Sequence, residues 1–216
     1  MKKEKYKLNF DLSTWSLIII NLLTIVLAIT EKWEIRYVFW IYFFQNLILG
    51  FFTFLKLIIL KNYRKKDFNI NGKIVEPTLK IKLILASFFI GTYLLFHLVY
   101  YLIIYFFIKD LSFSLTILGL IWIPTLLFLI NHLFSFLYNY ENDSKREKSF
   151  NETIFNTFKR AIGMHVIILF SAFISNLATE WGFRKYFIVY SLIYIIFFMI
   201  IKTIVDVKMH QKEHHV

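Results

Sequence analysis

The C-terminal part of the sequence carries four ionisable residues at a spacing that could do chemistry. Lys202, Asp206, His210 and His214 recur every four residues, which places them on one face of an α-helix. We interpret Lys202 and Asp206 as an ion pair within an apolar segment. Two histidines at this spacing can bind one metal ion, so His210 and His214 are candidate metal ligands. The alternative for the two histidines is a solvated helix end, the usual situation of terminal histidines.

Other ionisable residues interrupt long apolar runs of the chain. They are Lys56, His97, His132, Arg160 and His165. A charged side chain at the centre of a bilayer costs roughly 3 kcal/mol or more, so each of these residues needs a partner, water or a function. For His97 we expect a neutral imidazole that forms a hydrogen bond across a helix interface.

The apolar runs that hold these residues are typical of a membrane protein. Of the 216 residues 58% are hydrophobic, and the mean hydropathy is +0.61, more than a soluble domain of this length needs for one core. A helix that crosses a bilayer takes about 20 mostly apolar residues. We therefore predict an all-α fold, a polytopic transmembrane helical bundle that forms one membrane domain over residues 1–216. Its six spans fall at about 14–30, 37–60, 79–108, 111–138, 158–177 and 183–207.

The basic residues predict how this bundle is oriented in the cell membrane. Under the six-span prediction, 19 of the 25 Lys and Arg residues flank one side and 5 flank the other, with Lys56 inside the second span. Because the richer side faces the cytoplasm, both termini are predicted to be cytoplasmic. Turn and charged residues between Lys61 and Lys80 predict a cytoplasmic hairpin or loop. Trp33 and Trp181 lie near the predicted outer boundary, where aromatic side chains are common.

This orientation brings five ionisable residues to the same depth. His132 lies near the end of the fourth span, Arg160 and His165 lie at the start of the fifth, and Lys202 and Asp206 lie near the end of the sixth. We predict that these five residues form a polar ligand-binding site on the cytoplasmic side. Basic and imidazole groups outnumber the single acid, so the first hypothesis is binding or transport of a small anion or a metal ion.

Two alternatives of other classes stay open beside this hypothesis. The chain could be a membrane-embedded enzyme that acts on a lipid headgroup, or a structural or assembly subunit of a membrane complex. No P-loop, nucleophile elbow or zinc-protease helix is present, and there is no cysteine, so the sequence names neither a reaction nor a cofactor. The net charge of +11 is explained by loops beside membrane spans, so we expect a lipid bilayer and no nucleic acid as partner. A homo-oligomer is compatible with the sequence.

Several polar motifs resemble those of a known family, a domain of unknown function found in uncharacterised prokaryotic multi-pass membrane proteins. The resemblance rests on residues 42–50, 131–140, 158–165 and 202–214, and it extends over nearly the whole chain. Two positions depart from the family pattern: Gln45 stands where an acidic residue is expected, and Thr92-Tyr93 stands where a His-Tyr pair is expected. The resemblance implies the membrane architecture and the polar cluster, and it implies no activity.

Overall fold

A computed structural model describes residues 10–70, 72–107, 113–180 and 184–215. These residues form six helices, which confirms the predicted all-α helical bundle. The helices are α1 (Leu12–Thr30), α2 (Ile35–Ile59), α3 (Leu79–Phe107), α4 (Leu115–Lys145), α5 (Phe150–Glu180) and α6 (Arg184–His215). Four of them, α1 to α4, are long and apolar enough to cross a membrane, as expected for an integral membrane protein. The predicted boundaries at 108, 111 and 183 and the residue Trp181 lie outside the described residues.

Three helices continue beyond the apolar segments that predicted them. Helix α4 runs to Lys145 where the predicted span ends at 138, α5 begins at Phe150 instead of 158, and α6 runs to His215 instead of 207. Hydropathy detects only the part of a helix that suits lipid, whereas helix ends depend on capping and on neighbouring chain segments. These extensions of α4, α5 and α6 therefore form a helical layer beyond the predicted membrane boundary.

The connection between α2 and α3 meets the connection between α4 and α5 in this layer. Between α2 and α3 the chain forms a small antiparallel hairpin, with strands β1 (Asn69–Ile70) and β2 (Lys73–Ile74), and Gly72 adopts φ +79° in its turn. The hairpin predicted within residues 61–80 is present, and its cytoplasmic location stays a prediction. Asp67 accepts hydrogen bonds from Ser149 Oγ (2.7 Å) and Phe150 N (2.8 Å). The loop before α3 thus caps the start of α5 and fixes where that helix begins.

Helix α2 lies at the centre of the bundle and packs against α3, α4 and α5, while α1 and α5 both pack against α6. Its contact with α3 depends on Gly50, because a Cβ at this position would lie 2.3 Å from Cε1 of the Tyr93 ring. Large apolar side chains of α1, α3 and α4 are exposed, such as Phe88 and Leu115. In a membrane these side chains contact lipid, so the interior of the bundle is free to hold polar groups.

Candidate functional site

A cluster of three charged side chains lies between α5 and α6. Asp206 accepts hydrogen bonds from Lys202 Nζ at 2.5 Å and from Arg160 Nε at 2.9 Å. The three residues are at most 7% exposed. The predicted ion pair of Lys202 and Asp206 is confirmed, and Arg160 makes it a cluster of two cations and one acid. Lys202 also donates to Asn21 Oδ1 at 2.8 Å, which connects the cluster to α1.

A second, partly buried ion pair lies further towards the C-terminal end of α6, between Lys56 Nζ and Glu213 Oε1. It joins the end of α2 to the last turn of α6, which lies beyond the predicted sixth span. Burial by itself would raise the pKa of Glu213, but the facing Lys56 ammonium holds this pKa well below its usual 4.5. The two groups together contain three cations and two acids, an excess of one positive charge in the interior.

Three neighbouring cavities extend from this end of the bundle to the charged cluster. The outer cavity of about 150 Å³ is lined by five Lys or Arg and three Glu side chains, together with hydroxyl groups of α5. The middle cavity, of about 20 Å³, is lined by Lys56, His132 and Glu213 among others, and it has room for one molecule the size of water. The inner cleft, lined by His132, Lys202 and Asp206, is too narrow for water.

Arg160 lines all three cavities. Of the three nitrogens of its side chain, only Nε forms a hydrogen bond with a described residue, and the acceptor is Asp206. The two terminal NH2 groups therefore remain as donors beside the cavities. Buried polar atoms without a hydrogen-bond partner surround the inner cleft: Gln45 Oε1, Asn46 Nδ2 and His132 Nε2. Such atoms are rare in protein interiors and mark places where a further group binds.

The structure brings together four of the five residues predicted to form the site, namely His132, Arg160, Lys202 and Asp206, all of which line the inner cleft. His165 lines none of these three cavities. Its ring contacts His97 of α3, with 5.0 Å between ring centres. We predicted that His97 forms a hydrogen bond across a helix interface. This prediction is wrong, because His97 Nδ1 donates to Tyr93 O of its own helix at 2.8 Å.

The two C-terminal histidines are buried, so the interpretation as a solvated helix end is wrong. His210 Nε2 lies 2.8 Å from Ser13 Oγ, and His214 Nδ1 lies 3.0 Å from Asp143 Oδ2. Burial lowers the pKa of His210 from its usual 6.5 to about 3. Within the described part of the chain, no three His, Asp or Glu side chains are grouped as a metal site. Metal binding by His210 and His214 stays a prediction.

Sequence reasoning left several contributors out of the site. The predicted site omits Lys56, Gln45 and Asn46 of α2 and Asn21 of α1. The available signal was polarity inside an apolar run, which applies to all four. The partner of Lys56, Glu213, lies 157 residues away in sequence, and no local pattern indicates such a contact.

Comparison with known proteins places the chain in a family. The model of a family of unknown function, DUF6498, matches residues 4–216. The chain belongs to this family. No curated protein and no solved structure matches it. The resemblance to a domain of unknown function is thereby confirmed, and membership of DUF6498 assigns no activity.

Proposed function

We propose that this protein is a multi-pass protein of the cell membrane, with both termini in the cytoplasm, that binds a small anion entering from the cytoplasmic side. The observation that carries the proposal is Arg160, a buried guanidinium with unpaired terminal donors that lines all three cavities. Planar N–H groups of arginine suit anions because they supply charge and directed hydrogen bonds together.

The balance of charge supports an anion over a metal ion. The acids of the two ion-paired groups, Asp206 and Glu213, are already paired with cations. A further buried acid, Asp143, lies against Lys148 and His214, so none of the three is free to ligate a metal. The remaining excess is one positive charge. An uncompensated charge in a low-dielectric interior is costly, and a bound monovalent anion would neutralise it.

The sizes of the cavities support a ligand of few atoms. The middle cavity of about 20 Å³ fits one water-sized or halide-sized species. Around it, Asn131, His132 and Ser135 of α4 provide polar side chains beside Arg160. The larger outer cavity, with its excess of Lys and Arg over Glu, attracts anions towards this opening. In the predicted topology this opening is cytoplasmic.

Calorimetric titration of the full chain in detergent with sodium chloride, nitrate, sulfate and phosphate tests the proposal. We expect a monovalent anion to bind, and Arg160→Lys to weaken it about 10- to 150-fold, the equivalent of one charge-assisted hydrogen bond. Lysine keeps the charge beside Asp206 but lacks the fork of donors. The control is Arg36→Lys, since Arg36 is also ion-paired with a carboxylate, with Nε 2.8 Å from Glu34 Oε2, but lines none of the three cavities. Equal binding by Arg160→Lys and the wild-type protein would overturn the proposal.

The alternative of a lipid-headgroup ligand is distinguished in the same preparation. Native mass spectrometry of the protein from bilayers of phosphatidylglycerol and phosphatidylcholine would detect a retained anionic lipid. A lipid that is retained by the wild-type protein and lost in Arg160→Lys, with no binding of free anions, would replace the small-anion proposal. Reporter fusions at both termini and in the 61–80 hairpin test the topology, and an external signal at any of them would contradict it.

A further inference from the structure

The boundary between the outer and middle cavities carries a single acid among the described residues that form it. The residues that line both cavities are Leu49, Lys56, Arg160 and Glu213. An anion that moves from the outer cavity towards the middle one therefore passes the Glu213 carboxylate. The ion pair of Lys56 and Glu213 lies at this boundary, with side chains that are 11% and 27% exposed.

Neighbouring side chains hold the Glu213 end of α6 in place. From the connection between α4 and α5, Lys148 Nζ donates to Glu213 O at 2.7 Å, and Arg146 Nη1 donates to His214 O at 2.7 Å. The carboxylate itself pairs with Lys56 of α2. Because both the main chain and the side chain of Glu213 are bound, its negative charge stays at the boundary when an anion approaches.

The charge of Glu213 sets the positive excess of the two ion-paired groups at one. Three cations oppose two acids in these groups: Lys56, Arg160, Lys202, Asp206 and Glu213. The nearby Asp143 is itself paired with Lys148 at 2.6 Å and does not change the count. A monovalent anion neutralises an excess of one, whereas a divalent anion would leave an uncompensated negative charge. Without the charge of Glu213 the excess would match a divalent anion.

Size alone does not keep a divalent anion away from Arg160. The outer cavity, which Arg160 also lines, has about 150 Å³, whereas about 10–15 Å³ is sufficient for one water molecule. A tetrahedral oxyanion such as sulfate therefore fits the outer cavity. Discrimination at this point has to come from charge, and a carboxylate repels a divalent anion more strongly than a monovalent anion at the same distance.

We propose that Glu213 selects monovalent over divalent anions at the entrance to the middle cavity. The inference rests on the anion binding proposed above and names the residue that determines its specificity. Glu213 acts by repulsion and by cancelling the charge of Lys56, and not as a ligand of the anion. Two other acids line the outer cavity, Glu147 and Glu152. Their side chains are 64% and 70% exposed, so solvent screens their charge.

Neutral side chains at the boundary change the charge count one unit at a time. Glu213→Gln raises the excess to two and keeps an acceptor for Lys56, so the ratio of sulfate affinity to nitrate affinity should rise at least about 10-fold. Lys56→Gln removes the excess, so nitrate binding should weaken at least about 10-fold. The double variant Lys56→Gln/Glu213→Gln has an excess of one again, so the preference for nitrate should return.

Calorimetric titration of the full chain in detergent with sodium nitrate and sodium sulfate, at constant ionic strength, measures these affinities. The control is Glu152→Gln, which removes an acid from the outer cavity. This acid is exposed and faces Arg64 at 3.9 Å, so the affinity ratio should change less than about 5-fold. The same rise of the ratio is expected between Lys56→Gln and the double variant, which keeps the test valid if Glu213→Gln does not fold.

The outcomes separate this proposal from the proposed function. An unchanged ratio in Glu213→Gln, or an equal rise in Glu152→Gln, would overturn selection by Glu213 and leave anion binding at Arg160 in place. A double variant that prefers sulfate would also overturn it, because the charge count would then not set the preference. If the wild-type protein binds neither anion, both the selection and the proposed function are wrong.

Discussion

The charged cluster gives the most direct test of how this interior is held together. Asp206 is the single acid between two buried cations, Arg160 and Lys202. Replacing Asp206 by Asn changes the charge and almost nothing of the shape. The variant leaves two positive charges close together in a low-dielectric interior, whereas Lys202→Met leaves a neutral pair of Arg160 and Asp206 at 2.9 Å.

The expected magnitudes follow from what each variant leaves unpaired. Breaking a buried ion pair from one side costs about 3–5 kcal/mol, so Asp206→Asn should lower the free energy of unfolding by at least this amount. For a chain of this size that corresponds to a melting temperature lower by roughly 6–20 °C. Lys202→Met leaves one unpaired polar atom, Asn21 Oδ1, at a cost of roughly 1–3 kcal/mol. The double variant Asp206→Asn/Lys202→Met still leaves the Arg160 guanidinium without an acidic partner, so it should be less stable than Lys202→Met.

Reversible unfolding of the full chain in mixed detergent micelles measures these differences. The control is Glu141→Gln, because Lys145 and Glu141 have the same four-residue spacing and the same 2.5 Å separation but are exposed. Exposed pairs contribute little, so no change is expected there. If Asp206→Asn destabilises the protein no more than Lys202→Met, the two cations are solvated separately and the buried cluster is wrong.

Two further variants test packing and pH dependence in the same unfolding assay. Gly50→Ala puts a Cβ 2.3 Å from Cε1 of Tyr93 and should lower the free energy of unfolding by about 1–3 kcal/mol. The control Gly119→Ala has nothing within 4 Å of its new Cβ and should not destabilise the protein. Equal effects of the two variants would contradict the close packing of α2 on α3. Folding lowers the pKa of His210 from 6.5 to about 3. Between these two pH values the unfolded chain binds a proton that the folded chain does not. The free energy of unfolding should therefore decline as the pH falls from 6.5 towards 3, by up to about 1.4 kcal/mol per pH unit. His210→Gln should flatten this decline, and an unchanged slope would show that His210 is solvated.

The sequence predicted the features that depend on local patterns. A run of about 20 apolar residues is sufficient to indicate a helix that suits a bilayer, and all six predicted helices are present. The four-residue spacing of Lys202 and Asp206 was sufficient to predict their ion pair, because one helical turn brings the two side chains together wherever the helix packs. Both inferences need no knowledge of the neighbouring helices.

Features that depend on how the helices are rotated about their axes could not be predicted. His132 and His165 were expected to meet because they share a depth, yet His132 lines the cavities and His165 contacts α3. Depth follows from position along the chain, but rotation follows from packing of whole helix faces, such as the fit of Tyr93 on Gly50. The burial of His210 has the same origin, because α1 supplies its partner Ser13.

The polar stripe of α6 shows which side chains hold the bundle together and which remain available for binding. Every member of the stripe is buried and has a dedicated partner on another helix. Lys202 meets Asn21, Asp206 meets Arg160, His210 meets Ser13 and His214 meets Asp143. These four contacts with other helices hold α6 in position over its last four turns. On α6 the two ring nitrogens of His214 lack a hydrogen-bond partner, and the other unmatched groups lie on neighbouring helices, namely the terminal nitrogens of Arg160 on α5, Gln45 and Asn46 on α2, and His132 on α4. We therefore assign α6 the role of a scaffold that holds Arg160 through Asp206, and the binding chemistry to the helices that face it.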